Sequence, residues 1–593
     1  MDYDQVLEKV GGWNLYQIYM YIVIGIAGMH PGAHNIAQVF TAWLPAHTCQ
    51  VEDAPPNMSV DTLQKLTSPP QKDDPTKYDS CRLYRVNYST IYDWNSGINA
   101  SSAYNFSGYP TYHCNRWRYD RSMYETSIVM QWDLVCGDAW KRATAQSIYM
   151  FGFLTGCIGF GSLSDRIGRK PTFLVCIILL VVTGTAAAFA PEYWSYVVLR
   201  WISGTAAAGS FTSGFVMTME MIEEKHRTLP GLFYQGWFAL GYMGLAGIAY
   251  LVRRWQTLQL IIAIPPIIFV SCYWLMDEST RWLISQSRYR EAEKIVRKMA
   301  RMNRRPFPEE LFKMANNGKG TQDTIGDKET EKYSVIDLLR PPRMRRRAFN
   351  TFFNWFVNSM VFYGLAFGVS DLGGSPHLNL TISGLVEFPG YLVAIALMSR
   401  IGRRWCLMVI MVFGGVACVC SLAIPHDLAA AEDQLVLAWE AGYLRRGEGP
   451  PLLNSSFPPP DLAAAEITLS MLGKLAISGS FSAIYVFSAE LFPTVIRNTA
   501  VGAGSMHARV GGIVAPLIAE LRLLVWAPLP IIIFGASSIA AGLLALLLPE
   551  TLHQHLPETL KDGELFGTKE YRKLKGDKRK NGGEAHELNH LTA

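Results

Sequence analysis

A short charged loop that occurs twice constrains this chain most. Gly161 to Pro171 reads GSLSDRIGRKP and lies between two long apolar runs, 142–163 and 172–190. Ser399 to Trp405 reads SRIGRRW, 234 residues later, again between apolar runs. One loop pattern repeated inside two hydrophobic regions predicts a duplicated membrane bundle.

Composition agrees. Half of the 593 residues are hydrophobic, 17% are charged and 16 are Trp. Apolar runs of about 20 residues match the thickness of a bilayer, and twelve can be marked: 15–43, 142–163, 172–190, 193–220, 230–252, 257–276, 349–367, 379–399, 405–425, 464–486, 497–520 and 527–548. Hydrocarbon leaves no partner for a free backbone N–H or C=O, so each run must be a helix. The first follows an acidic, polar segment without a small-residue cleavage site, and reads as a span, not a signal peptide. The expected class is an all-α membrane protein with twelve transmembrane helices in two pseudo-symmetric six-helix halves. The halves are 1–276, with a large polar loop at 44–141, and 349–548, with an insert at 426–462. A linker at 277–348 joins them, and the hydrophilic tail 549–593 is expected to be disordered.

Two counts orient the chain. Lys and Arg gather at 164–171, 221–229, 277–348 (with Arg343, Arg345, Arg346 and Arg347) and 399–405, as on cytoplasmic loops. Six glycosylation sequons, at Asn57, Asn87, Asn99, Asn105, Asn379 and Asn454, all fall on the other side. Both termini are therefore expected in the cytoplasm. Cys49, Cys81, Cys114 and Cys136 share the 44–141 loop in an oxidising compartment, so two disulfides are expected, in any of three connectivities. The other six cysteines lie in apolar runs as small buried hydrophobes.

The repeat extends beyond the loops. Glu220 and Arg227 are matched by Glu490 and Arg497, offset by 270; Glu278 in DESTRWL is matched by Glu550 in LPET, offset by 272. The excess over 234 is accounted for by the insert.

Duplicated halves with a GxxxDRxGRK loop resemble the major facilitator superfamily, whose halves enclose a site near the bilayer midplane. Within it the chain resembles the organic cation, anion and carnitine transporter family. The opening DYDQVLEKVGGWNLYQ, the four-Cys outer loop, DESTRWLISQSRYREAEKIV at 277–296 and AELFPTVIRN at 489–498 carry that resemblance, which spans Asp2 to about Leu552. The insert, the tail and Ser399, where an acidic residue would match the first loop, depart from it.

The loops are expected to gate. Gly161 and Gly168 would allow close helix approach and a tight turn. Asp165 would accept from a facing helix N-terminus. Arg166, Arg169 and Lys170 would bridge to Glu220 and Glu490, with Arg227, Arg400 and Arg497 in the same clusters. The alternative, for Lys170, Arg403 and Arg404 above all, is plain positive-inside topology.

Ionisable groups within the spans point to the transport site. Glu387, beside the helix-loosening Pro389, matches a cavity acid of the family. Arg509 stands where cation-selective members carry Asp and where anion and carnitine transporters carry Arg. An acid and an arginine in one cavity suit a zwitterion such as carnitine or a related betaine; mutual pairing for packing is the alternative. Lys474 either joins the cavity or reaches the outer interface. His30 and His34 share a helix face and His507 neighbours Arg509; each can confer pH sensitivity or simply pack. Aromatic faces attract trimethylammonium groups. Trp355 and Phe362 are candidates by family match; Tyr363, Tyr485, Tyr234 and Trp237, with Gln235 between the last two, are further candidates, and interhelical packing or an interfacial belt is the alternative for each.

No Walker loop, HExxH, GxSxG, paired CxxC or GxGxxG occurs, so neither ATP-driven transport nor an enzyme is indicated. The basic loops lack the aromatic interleaving used on nucleic acid. The expected partners are a small organic solute and membrane lipid. No cofactor is expected, with Na⁺ coupling open alongside exchange and uniport. The expected function is transport of small organic ions across the plasma membrane by alternating access, with zwitterions preferred. A polyspecific cation transporter or an anion exchanger is the alternative, as is a non-transporting sensor whose outer loops bind a partner.

Overall fold

The computed structural model describes residues 3–71, 77–92, 94, 104, 106, 108–309, 335–372, 374–423 and 460–571. Twelve long helical segments run through it: α1 (Leu15–Ile36), α2 (Trp140–Ile167), α3 (Arg169–Ala188), α4 (Tyr193–Glu220), α5 (Thr228–Leu251), α6 (Trp255–Leu275), α7 (Pro342–Phe367), α8 (Pro376–Ile401), α9 (Arg403–Ser421), α10 (Pro460–Leu491), α11 (Arg497–Leu524) and α12 (Leu529–Ala545). Six of them, α2, α3, α6, α8, α9 and α10, are each long and apolar enough to cross a membrane unaided. Helix α12 is apolar but short, while others carry polar groups that a bundle interior shelters, such as His34 in α1 or Arg200 in α4.

The outside of the bundle is apolar in helical register. Val175, Ile178 and Val182 of α3, and Val409, Phe413 and Val416 of α9, are exposed at spacings of three and four. Such stripes face lipid.

Local sequence sets the helix ends. Asn14 and Gln17 form a capping box at the start of α1. Pro265 and Pro266 remove two backbone donors and turn the middle of α6 into a 3₁₀ segment, Pro265–Ser271. Pro389 leaves the Leu385 carbonyl without its helical donor, and α8 breaks between Leu385 and Glu387.

Several expected boundaries shift. Helix α7 begins at Pro342, so the Arg343–Arg347 run is helical and not linker. Glu564 accepts from the Arg343 and Met344 N–H groups at 3.1 and 3.0 Å, supplying the acceptor that a helix N-terminus needs. Glu564 belongs to a helix, Leu560–Leu565, in the tail expected to be disordered, and Arg347 donates to Gly563 O and Phe566 O. The order there comes from this docking against α7. Most of the insert, 426–459, lies outside the described residues, as does the end of the tail from 572.

One face of the bundle, here the basic face, carries the two repeated loops and the linker helices. Opposite it, on the disulfide face, the described residues between 44 and 139 form a small loop domain. Strands β1 (His47–Cys49) and β4 (Trp117–Tyr119) pair antiparallel, as do β2 (Arg82–Tyr84) and β3 (Thr111–His113). The connectivity is Cys49–Cys114 and Cys81–Cys136, with Cα atoms 5.8 Å apart in each. Asn57 and Asn87 are exposed on this domain; Asn99, Asn105 and Asn454 lie outside the described residues. Asn379 is a correction. It is 2% exposed, within the first turns of α8, where no glycan has room.

Candidate functional site: a central cavity between the halves

The basic face shows how the repeat is used. Gly168 and Gly402 join α2 to α3 and α8 to α9 at φ +109° and +98°, a region costly for any other residue. A Cβ on either would also strike a carboxylate, Glu278 at 2.4 Å or Glu550 at 2.5 Å. Glu278 accepts from the Arg169 and Lys170 N–H groups at 3.0 and 3.2 Å, and Glu550 from those of Arg403 and Arg404 at 2.8 and 3.1 Å. Burial raises the Glu278 carboxyl above its ordinary range, with backbone N–H groups opposing the rise. Arg169 then binds Glu220 at 2.9 Å and Arg403 binds Glu490 at 2.9 Å.

Four expectations change here. Glu278, not Asp165, receives the helix N-terminus; Asp165 is largely exposed and pairs with Arg169 at 2.9 Å across the Gly168 turn. Glu490 is bound by Arg403, because each cluster closes inside its own half. Gly161 makes no close approach, since a Cβ there would meet nothing. Arg166 and Arg400 are exposed. Arg227 binds Asp4 at 3.0 Å, while Arg497 donates to Thr494 Oγ1 at 3.2 Å.

Contacts between the halves lie at mid-depth and toward the disulfide face. Arg142 of α2 binds Glu520 of α11 at 3.0 Å, and Ser147 donates to Ile513 O at 2.8 Å. Tyr124 of the loop domain hydrogen-bonds His377 of α8 at 2.6 Å. Deeper, Tyr242 of α5 donates to Glu387 of α8 at 2.5 Å.

Beneath these contacts is a cavity of about 330 Å³, reaching Met219, Arg227, Val486 and Ala489 at the basic-face ends of α4, α5 and α10. Its wall is aromatic: Phe153, Phe211, Phe215, Phe238, Phe362, Tyr363, Tyr391, Phe481 and Tyr485. Three charged residues line it: Arg227 at the basic-face end, held by Asp4, and deeper Glu387 and Arg509. Glu387, 1% exposed, takes hydrogen bonds from Tyr242 and from Tyr391 at 2.9 Å, and an ion pair from Lys474 at 3.2 Å. Arg509 also lines the cavity; its guanidinium lies 4.6 Å from the Phe153 ring centre, with Nε lacking a hydrogen-bond partner and no ion pair among the described residues.

Glu387, Arg509, Phe362, Tyr363, Tyr485 and Gln235 line this one cavity. Lys474 neither lines that cavity nor reaches an interface. It is buried, donating to Phe362 O at 3.3 Å over the Phe362 ring, because Glu387 holds it there. Glu387 and Arg509 are not each other's partner. Trp355 stands behind the wall, hydrogen-bonded to Ser488 at 3.0 Å with its ring 4.3 Å from Tyr485. Trp237 fills the space over Gly25, and Tyr234 is wholly buried. His507 donates from Nδ1 to Ala503 O at 2.8 Å along its own helix and stacks on Phe352; His30 packs on Phe269; His34 is fully buried.

Sequence reasoning missed Tyr242, Tyr391, the Arg142–Glu520 pair and the Phe153 and Phe481 walls. Tyr391 had a signal, lying one helical turn from Glu387. Phe481 had the same relation to Tyr485. Arg142, Glu520 and Phe153 find their partners only across the halves, and no spacing reveals that.

The family model "Sugar (and other) transporter" matches residues 87–560. An organic cation transporter protein of Drosophila melanogaster is 37% identical over 576 residues, 96% of each chain. A beta-alanine transporter of the same species is 31% identical over 590 residues, 95% of this chain and 89% of the relative. Among solved structures, the E. coli xylose transporter XylE in a partially occluded inward-open conformation superposes with TM-score 0.54 at 14% identity, covering 91% of this chain and all of that one, a likeness of fold. The chain is accordingly a multi-pass membrane transporter and not an enzyme, and it belongs to the sugar (and other) transporter family, within it to the organic cation and anion transporters of the major facilitator superfamily.

Proposed function

We propose that the protein moves small zwitterionic organic solutes, carnitine and related betaines or amino acids, across the plasma membrane by alternating access. The supporting observation is the charge layout of one aromatic cavity: an acid whose charge is shared with Lys474, and an arginine with no acidic partner among the described residues. The ammonium end of a substrate competes with Lys474 for Glu387, while its carboxylate meets Arg509 as a charge-assisted pair. Aromatic faces hold the alkylammonium, worth about 0.5–2 kcal/mol each. The beta-alanine relative transports a molecule of this charge type by its name.

The cavity extends to the basic face, which positive-inside bias assigns to the cytoplasm together with both termini. In this reading the structure faces inward, and the Arg169–Glu220 and Arg403–Glu490 clusters hold each half rigid while the halves rock. Proteoliposome uptake of labelled carnitine, beta-alanine and tetramethylammonium, with and without Na⁺, tests the reading and resolves the coupling. Saturable flux of the first two, exceeding the cation, is the expected result. Flux of none would favour a non-transporting role, and flux of the cation alone would remove Arg509 from substrate recognition.

A further inference from the structure

Helix α7 carries two arginines on its outer surface. Arg345 and Arg346 are both exposed, and neither guanidinium makes an ion pair or a hydrogen bond among the described residues. Their neighbour Arg347 behaves otherwise, donating to Gly563 O and, at 2.9 Å, to Phe566 O of the tail. Acids of the adjoining segments are engaged elsewhere. Asp337 pairs with Arg340 at 3.6 Å, and Glu564 accepts from the Arg343 and Met344 N–H groups.

Depth and direction place the pair. At 1.5 Å per residue, the apolar run 349–367 of α7 is about 28 Å long, about the thickness of bilayer hydrocarbon. Phe349 therefore marks one edge of the hydrocarbon, and Arg345 and Arg346 lie about 5 Å beyond it, at headgroup depth. At about 100° per residue, Arg345, Phe349, Phe353 and Arg346 share an arc of about 100° on one face of the helix. Phe349 and Phe353 are exposed, so this arc faces lipid. Helix α12 runs alongside, tied to α7 by Asn350 Nδ2 donating to Leu544 O at 2.6 Å. Leu543, Leu544 and Leu547 are exposed at its basic-face end. Positive-inside bias asks for basic residues on a loop, not for guanidiniums on the lipid-facing arc of a helix. The duplication does not supply them either: α1, the first helix of the other half, opens as NLYQIY, Asn14 to Tyr19, with no Lys or Arg.

We propose that this end of α7, with α12, binds an anionic glycerophospholipid from the leaflet on the basic face. Its phosphodiester meets Arg345 and Arg346, whose guanidinium forks suit phosphate oxygens. Its acyl chains lie against Phe349, Phe353, Leu544 and Leu547. A net negative headgroup is favoured because both arginines bring charge to the surface of the bilayer. Arg347, half a turn round the helix from Arg345, docks the tail, so lipid and tail grip α7 from opposite sides.

Native mass spectrometry of the full-length protein, supplied equally with dioleoyl phosphatidylserine and dioleoyl phosphatidylcholine, tests the site and needs no transport. The first lipid adduct is expected to be phosphatidylserine, at least tenfold over phosphatidylcholine. Arg345→Gln with Arg346→Gln should cut that preference at least fivefold. Arg290→Gln with Arg301→Gln removes the same charge from two exposed positions of the linker helix Tyr289–Met302, and should leave it unchanged. Equal loss in both double variants would mean general attraction to a basic surface and would overturn the proposal, as would no loss in the first. A phosphatidylserine with a diazirine in its acyl chain gives a second reading on the unaltered protein, whether or not a variant folds. Its label is expected on Phe349, Phe353 and Leu547. Label spread evenly over lipid-facing positions such as Ile178 and Val409 would sink the site.

Discussion

Lys474→Met offers the sharpest test of how charge is arranged in the central cavity. In the native protein Glu387 and Lys474 are each 1% exposed and 3.2 Å apart. At an effective dielectric of about 20, that separation corresponds to about 5 kcal/mol of attraction. Removing one member of a buried pair typically costs about 3–5 kcal/mol, because the other charge stays buried and alone. Tyr242 and Tyr391 still donate to Glu387 in the variant, which places the expected loss at the lower end, about 3 kcal/mol. Glu387→Gln leaves Lys474 with only the Phe362 carbonyl and ring and should cost as much or more. The double variant removes both charges of this pair and should recover most of either loss. Equilibrium unfolding in mixed micelles, run as a double-mutant cycle, measures all three. Binding supplies a second readout: Lys474→Met should bind tetramethylammonium at least tenfold tighter, and Glu387→Gln at least tenfold weaker. Single losses below about 1 kcal/mol, or losses that simply add in the double variant, would refute the view that Lys474 neutralises Glu387.

Three other outcomes are expected. Arg509→Asp should turn selectivity from zwitterions towards permanent cations by tenfold or more in competition uptake; unchanged ratios would show that Arg509 does not read substrate charge. Arg142→Ala should loosen the disulfide face, since it removes an ion pair joining α2 to α11, and labelling of a cysteine placed at Ser482 by an impermeant reagent from that face should rise severalfold. Gly402→Ala forces φ +98° on a residue with a Cβ and drives that atom into Glu550; it should destabilise by more than the roughly 1 kcal/mol typical of a glycine replacement in unstrained backbone, with Gly168→Ala behaving alike in thermal unfolding.

The twelve spans, the halves and the offsets were legible because hydrocarbon permits few structures and duplication leaves its register in the chain. Glu387 and Arg509 were legible because charge inside a span is costly enough to mean something. The partner of Glu387 was not. Lys474 sits near one end of an apolar run, where a long side chain ordinarily escapes to water, and only the placement of α8 against α10 shows that it turns inward. The gate residues illustrate a related limit. Repetition identified the arginines and glutamates, yet it could not say whether they join the halves or close within each one. Asn379 fits a sequon, but α8 already extends over it.

The Cys81–Cys136 bridge has a mechanical consequence. Cys136 stands four residues before Trp140, where α2 begins, and six before Arg142. The loop domain is therefore bolted to the very helix whose end clasps the opposite half. Glu125 reaches Arg254 at 2.6 Å and Tyr124 reaches His377, so the same small domain also touches α6 and α8. An antibody or toxin gripping it could stall the rocking from outside without ever entering the solute's path.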